Sequence, residues 1–459
     1  MAPSNQQAAP RSNALYFTAW RWHFYAGLFV IPFVMTLAIT GMIMLLTTSQ
    51  SNQMGYVADI AVGESTLPIS TQAQAALATV PDGVLNQYIA PEGVDRPTFF
   101  AIRDADAVIS VAVNPYTGEV LNQIDKTKTL YAYANKIHGT LMIGDAGDRL
   151  IEAAVSLMLL LIATGLYMWL PKMGWRALVP DLSGRGRSFW KSLHATTGTW
   201  IAVFLVLFAL SGLAWAGIWG GKFVQPWSSF PAEKNSSMWS SDVTHASLNH
   251  GPLDEVPWGL ELTPMPVSGT DAGIAGVPSP VALDSVVQWA AANGFVRQYK
   301  VSLPASETGV YTVMAEGRNE DSVNPSSDRT VHIDQYTGNV LADIGYAEYS
   351  LVAKAMAWGI ALHRGLAGTW NFVLNIVLIS AILFTCISGA VVWWKRRPAG
   401  AGRLAAPPRP EALPHWKGAL LVALAIALAF PMAGISLIVV LLVDLLVIER
   451  LPALRQALS

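Results

Sequence analysis

Eight histidines occur in the 459 residues of this chain, and four of them stand at repeated spacings. His23 opens one apolar run as His23-x3-Gly27-x12-Thr40-Gly41, and His194 opens another as His194-x3-Gly198-x12-Ser211-Gly212, with identical offsets. His138, in "IHGTL", precedes a run carrying Thr164-Gly165-x3-Trp169; His363, in "LHRGL", precedes one carrying Ser388-Gly389-x3-Trp393. Neutral imidazole is a common ligand of haem iron, and two imidazoles on facing helices of a bundle core hold a porphyrin between them. The four residues therefore read as axial ligands of two bis-His b-type haems. His23 pairs with His194 at one membrane face, and His138 with His363 at the other. Gly41 lies 18 residues beyond His23, about 27 Å along a helix. That puts it near the opposite face, so the [Thr/Ser]-Gly pairs read as flat walls beside the other haem.

Each of these features also has a plainer reading. A lone interfacial histidine is often a polar anchor, and small residues in a membrane helix often serve helix packing alone. An ionisable residue inside a membrane nevertheless points to function, and four at repeated offsets favour ligation. Proton relay or metal transport is the competing chemistry, weakened by the scarcity of acids: Glu152 is near a span end and Asp444 in a terminal hairpin. The remaining histidines rank lower. His332, on a strand, reads as structural. His245 and His250, in "THASLNHG", could touch a metal-bearing substrate, and His415 beside Trp416 reads as an interfacial anchor. Arg21 and Arg364 adjoin two ligand candidates and could pair with haem propionates. "SGRGRS" and "AGAGR" lack the strand–turn–helix context of a dinucleotide fingerprint.

The elements that must position these residues are membrane helices. The chain is 53% hydrophobic and 13% charged, with a mean hydropathy of +0.39, against about 25% charged residues in soluble domains. Four spans are expected, at 24–46, 150–170, 199–219 and 372–394. A further apolar stretch, 418–448, is interrupted by Pro431 and Gly434 and reads as two short helices or a re-entrant hairpin. The first run exceeds the about 7–15 residues of a signal-peptide core and reads as a retained span. The segments 1–22, 171–193, 395–417 and 449–459 hold 15 Lys/Arg against 3 Asp/Glu; the long loops 48–149 and 220–371 hold 14 against 26. The positive-inside rule then puts the short basic segments in the cytoplasm and the long loops outside. The single cysteine, Cys386, excludes intrachain disulfides and reads as a packing residue.

The long loops repeat as well. "VAVNPYTGEVL" (111–121) parallels "VHIDQYTGNVL" (331–341), each an alternating strand, a Tyr-Thr-Gly turn and a second strand. A helical pattern, 281–294, precedes the second copy, with "TLPISTQAQAALATV" as its counterpart in the first. The expected architecture is a membrane α-helical bundle of four main transmembrane helices plus a C-terminal hydrophobic hairpin. It carries two α+β outer domains and arises by internal duplication. In chain order its parts are a tail 1–23, a span 24–46, an outer domain 47–137, and a histidine segment with span 138–170. A loop 171–193, a span 194–219, a second outer domain 220–362 with an irregular insertion 226–280, and a histidine segment with span 363–394 follow. A basic segment 395–417, the hairpin 418–448 and a tail 449–459 complete the chain.

The "RWHFYAGL…ITG" span, the "YTGEVL"/"YTGNVL" hairpins and the "HGTL"/"HRGL" entries together resemble the PepSY-associated transmembrane proteins, often called iron-regulated membrane proteins, over about residues 15–398. Some of that family are ferric-siderophore reductases. The resemblance implies outer PepSY domains, a di-haem core liganded at His23, His138, His194 and His363, and a bacterial inner-membrane location. It also implies electron flow from a quinol or a cytoplasmic reductase to a periplasmic ferric siderophore or other ferric chelate. No nucleic-acid partner is expected. Two rival readings stand beside it: a membrane-anchored PepSY binding or protease-inhibitor module without redox activity, and a quinol-linked haem carrier serving another reductase.

Overall fold

A computed structural model of the chain describes residues 12–451, apart from 50–52, 229, 231–240, 250–255, 316–317, 320–321, 398–403, 409–416, 444–445 and 447–449. His250, His415 and Asp444 lie outside the described residues. The chain divides into two compact units: 1–39, 138–222 and 376–459 form one, and 40–137 with 223–375 the other.

In lipid a backbone must satisfy its own polar groups, so long apolar runs become helices. Four helices are long and apolar enough to cross a membrane: Ser12–Leu46, Asp145–Met173, Arg187–Leu213 and Thr369–Trp394. The stretch after 416 forms two shorter apolar helices, Lys417–Ala429 and Pro431–Val443, broken where Pro431 lacks an N–H to continue the first. His138 is not on the second span. It sits on a separate helix, Leu130–Thr140, with Leu141 and Met142 at positive φ in the turn that follows.

The third span departs from its expected range of 199–219. It starts earlier, taking in Trp190 and His194, and ends at Leu213. The reason is Glu152, fully buried on the second span. Its carboxylate accepts the backbone N–H of Ile218 (3.1 Å) and of Trp219 (2.9 Å), and Asp148 accepts that of Gly217 (3.1 Å). Those donors are thereby satisfied outside an α-helical ladder, and the chain passes into a π-helical turn at Trp219–Val224. Glu152→Ala leaves two buried N–H groups unpaired, at a cost of about 2–4 kcal/mol. Glu152→Gln, which keeps one oxygen acceptor, is expected to cost about half as much. Thermal midpoints of the detergent-purified variants measure both.

The other unit is built on one nine-stranded sheet rather than two separate domains. Its strands are β1 (Val84–Ile89), β2 (Thr98–Asp104), β3 (Ala107–Val113), β4 (Val120–Asp125), β5 (Ile274–Ala275), β6 (Lys300–Ser302), β7 (Val310–Ala315), β8 (Arg329–Asp334) and β9 (Asn339–Gly345). The order across the sheet is β4-β3-β2-β1-β6-β7-β8-β9-β5, antiparallel throughout. The two loops meet at β1 and β6, where Gln87, Tyr88 and Ile89 pair with Ser302, Val301 and Lys300. Each would otherwise be an open edge with unpaired N–H and C=O groups, and pairing removes both edges.

The two Tyr-Thr-Gly turns are built alike. Asn114 Oδ1 accepts the N–H of Tyr116 and Thr117, and Asp334 Oδ1 accepts those of Tyr336 and Thr337. Gly118 and Gly338 take φ of +74° and +71°, open to glycine at no cost. One residue before each hairpin's last strand pair the register slips, between Ala112 and Val113 and between His332 and Ile333. One face of the sheet packs Phe100, Ile102, Val111, Val313, Val331 and Ile333 against the helices Ile69–Leu77 and Leu283–Ala292. The other face is covered by Met54 over Ile89, Phe99 and Ala112, and by Met265 over Val310 and Leu341. The segment 226–280, expected to be an irregular insertion, therefore contributes a sheet cover and the short edge strand β5.

Candidate functional site

His23 and His194 lie on the first and third spans, and the structure brings them together. Their ring centres are 6.3 Å apart and their planes cross at 84°. Each imidazole is fixed through the same nitrogen. His23 Nδ1 lies 3.1 Å from the carbonyl of Leu161 and 3.1 Å from the Thr164 hydroxyl; His194 Nδ1 lies 3.0 Å from the carbonyl of Thr385 and 3.3 Å from the Ser388 hydroxyl. A carbonyl only accepts, so both Nδ1 atoms carry the proton and both Nε2 atoms keep a lone pair. This is the tautomer of a metal-ligating histidine, with its other N–H given to an oxygen behind it.

The fit to an iron porphyrin can be tested on that separation. Two metal–nitrogen bonds of about 2 Å, with about 1.1 Å from each nitrogen to its ring centre, place imidazoles sharing one metal ion roughly 6.2 Å apart. The observed ring-centre spacing meets this requirement, so His23 and His194 would be the residues to hold such a group.

Two of the [Thr/Ser]-Gly pairs stand against the imidazoles of other helices. A Cβ on Gly165 would stand 3.1 Å from His23 Cε1, and a Cβ on Gly389 would stand 3.1 Å from His194 Cε1. These glycines make room for the imidazole of the neighbouring helix. The hydroxyl before each glycine then meets the Nδ1–H. His138 follows the same rule on the first span, with a hydrogen bond to the backbone of Leu37, three residues before Thr40-Gly41. Leu161 and Thr385 likewise stand three residues before Thr164-Gly165 and Ser388-Gly389. Burial pulls His138 down to a pKa of about 4, opposed by the Leu37 carbonyl, so it is neutral at physiological pH. Each of these three histidines is thus oriented by a helix that carries a [Thr/Ser]-Gly.

His363 belongs to the sheet unit, as the last residue of the helix Leu351–His363. A break follows, with Gly365 and Gly368 at positive φ, before the fourth span begins. Two asparagines at the start of that span, missed in the sequence, tie the break down. Asn375 Nδ2 donates to the carbonyls of Leu362 (2.9 Å) and His363 (3.0 Å), and Asn371 Nδ2 donates to that of Leu362 (3.0 Å). Two asparagines spaced i, i+4 in an otherwise apolar run were the available signal.

The arginines near the ligand candidates have protein partners. Arg21 turns to the Tyr25 hydroxyl (3.1 Å) and the Pro407 carbonyl, and Arg364 reaches the Tyr131 hydroxyl at 3.5 Å. Arg396, not singled out in the sequence, stacks over Trp20 (5.2 Å) and Phe24 (4.9 Å) at the His23 end of the bundle. Burial, and then the neighbouring Arg187, lower its pKa, so it is a half-desolvated cation suited to an anionic group. His245 and His332 contact each other in the sheet unit. Cys386 is buried, as a packing residue would be.

Thr164→Val tests the support of His23. The imidazole keeps the Leu161 carbonyl but loses the hydroxyl, and loss of such a supporting group costs about 10–100-fold in metal affinity. Titration of the apoprotein with haem should show that weakening at one site, with Ser388→Ala giving the same at its partner ligand.

Among curated proteins, none matches the chain. Residues 20–396, from the turn before His23 to just beyond Trp394, match the family model described as the PepSY-associated TM region, and the chain is therefore a member of that family of membrane proteins.

Proposed function

We propose that the protein is a bacterial inner-membrane di-haem b oxidoreductase that passes electrons across the membrane to a periplasmic ferric chelate, a ferric siderophore being the favoured class. The observation that carries this reading is the His23–His194 pair, with 6.3 Å between ring centres and each Nδ1 held by a carbonyl and a hydroxyl. By the repeat in the sequence, His138 and His363 are proposed as the ligands of the second haem.

When bound, a bis-imidazole haem takes up and gives out one electron at a time. The chain's own residues prepare for this. The Leu161 and Thr385 carbonyls and the Thr164 and Ser388 hydroxyls hold both imidazoles in the ligating tautomer and raise their basicity. Arg396 and Arg187 offer positive charge to propionates at the His23 end, and the apolar spans keep water from the site. A quinol or a cytoplasmic reductase supplies the electron. The chelate's Fe³⁺ takes it and becomes Fe²⁺, which hard oxygen ligands hold less tightly, so the iron is released. The two halves of the nine-stranded sheet are read as PepSY-like modules that present the chelate.

The absorption spectrum of the purified protein tests the reading. Soret and α bands of low-spin b-type haem are expected, with two haems per chain by pyridine haemochrome. A colourless protein overturns the proposal and leaves the non-redox PepSY module as the reading. Reduced protein that keeps its α band on addition of a ferric siderophore retains the haem carrier and removes the ferric substrate.

A further inference from the structure

We infer that His245 and His332 form a proton-sensitive latch that fastens residues 241–249 and 256–265 to the sheet. The neutral pair closes it and uptake of one proton opens it.

Both imidazoles are fully buried, and their Nε2 atoms lie 2.9 Å apart. Every ring nitrogen is assigned by its neighbours. The Thr263 carbonyl, 2.7 Å from His245 Nδ1, only accepts, so that nitrogen carries the proton and His245 Nε2 is an acceptor. His332 must then donate from its own Nε2. Its Nδ1 accepts from the Thr312 hydroxyl at 3.0 Å. The chain Thr312 O–H to His332, His332 N–H to His245 and His245 N–H to the Thr263 carbonyl runs in one direction with both rings neutral. A proton added to His245 sets N–H against N–H unless His332 shifts its own to Nδ1. Either way the added proton turns the Thr312 oxygen into an acceptor and puts a full charge into a fully buried pair.

The sequence repeat shows that the fold does not need this pair. In the first half, Ala112 stands where the second has His332, Phe99 where it has Thr312, and Met54 covers them. An apolar arrangement thus closes the same face of the same sheet. Buried polar networks are seldom more stable than a well-packed apolar replacement, so the second half carries a polar lock where packing would serve.

The lock joins a weak element to a strong one. The segment's own ladder is short: His245 N–H to the Thr263 carbonyl, Ala246 N–H to that of Glu261, Met265 N–H to that of Val243 and Ser241 N–H to that of Met265. A two-stranded ladder is marginal in water unless it packs on something. Here it packs on the sheet through the histidine pair and the small cluster of Met265, Leu248, Val310 and Leu341.

Charged groups on the packed elements do not relieve an added proton. Register puts Lys300 and Asp334 on the pair's face of the sheet, and Asp242 and Glu261 lie on the segment. Asp334 is taken by the N–H groups of Gly269, Tyr336 and Thr337, and Glu261 by the amides of Gln225 and Asn249. Arg329 and Asp343 pair with each other, on strand positions facing the opposite side.

The direction with pH follows from burial. It pushes His245 down to about 4 and, with His245 beside it, holds His332 well below 6.5. The open form therefore takes the proton first. Closure is at full strength above about pH 6.5 and is lost as pH falls toward 4.

Hydrogen–deuterium exchange of the full chain in detergent, from pH 7.5 to 4.5 with intrinsic rates divided out, tests this. Protection of the 243–247 and 261–265 amides should fall about tenfold or more between pH 7 and pH 5, relative to β2 and β3 of the same sheet. A profile parallel to those strands overturns the proposal. The double variant His245→Leu/His332→Ala, which copies the apolar half, should stay protected at pH 5; the same acid loss in that variant also overturns it. Should the variant fail to fold, the wild-type profile alone decides.

Discussion

His23→Ala should lower the haem content of the purified protein to about half, and His194→Ala should do the same. The double variant should lose no more than either single one. A single site with two axial ligands behaves as a unit: with one imidazole gone, the other holds the ring through one bond, and retention through detergent extraction fails. Non-additivity is what neighbouring residues sharing one function are expected to show. The 6.3 Å spacing makes the two residues such a unit. The spectrum left behind should remain low-spin if the second bis-imidazole site is the one proposed at His138 and His363. His332→Ala in the sheet unit is the control, and it should keep both haems. Loss of all haem in either single variant, or about one quarter lost in each and half in the double, would break the pairing.

Much of this architecture was legible from period and spacing alone. The helices announced themselves as apolar runs, since a lipid-embedded backbone has no alternative to the helix. The H-x3-G-x12-[TS]-G repeat marked His23 and His194 as equivalent, and the structure sets their rings side by side. The Tyr-Thr-Gly hairpins were visible because a positive-φ turn needs its glycine and an Asn or Asp to hold the turn's N–H groups.

What stayed hidden depends on which element meets which. A sequence shows that a [Thr/Ser]-Gly recurs, but not whether it faces the ring it follows or one on the next helix. The reading from helix length assigned Gly41 to a distant haem. The geometry sets Gly165 against the His23 imidazole and Gly389 against that of His194, and a hint was available: the sequence has four such histidines and four [Thr/Ser]-Gly pairs. The joining of the two long loops in one sheet at β1 and β6 was equally invisible, because β6 has only three residues and no alternation to read. The His245–His332 contact spans 87 residues, and no local pattern links an irregular segment to a strand. The third span's early end was hidden for the same reason: Glu152, far away in sequence, captures the N–H groups of 218 and 219.

The glycine assignment gives the second large effect. Gly165→Val should remove the same haem that His23→Ala removes, and Gly389→Val the same one again. A single Cβ at either position would sit 3.1 Å from the imidazole's Cε1. The ring must yield by a few tenths of an ångström, so alanine should weaken the site without emptying it. Valine adds two γ-carbons and is stiff at χ1, so the imidazole has nowhere to go and its Nδ1 leaves the carbonyl and hydroxyl that set its tautomer. Gly27 and Gly198 are the controls. Their nearest neighbours to an added Cβ are at 3.9 Å, and alanine at either should leave the spectrum as in the wild type. Combining Gly165→Val with His23→Ala checks that both act at one site. If Gly165 seats His23, the double variant retains half the haem, as each single one does. If Gly165 instead served the haem assigned to His138, the two losses would add and the protein would come out colourless.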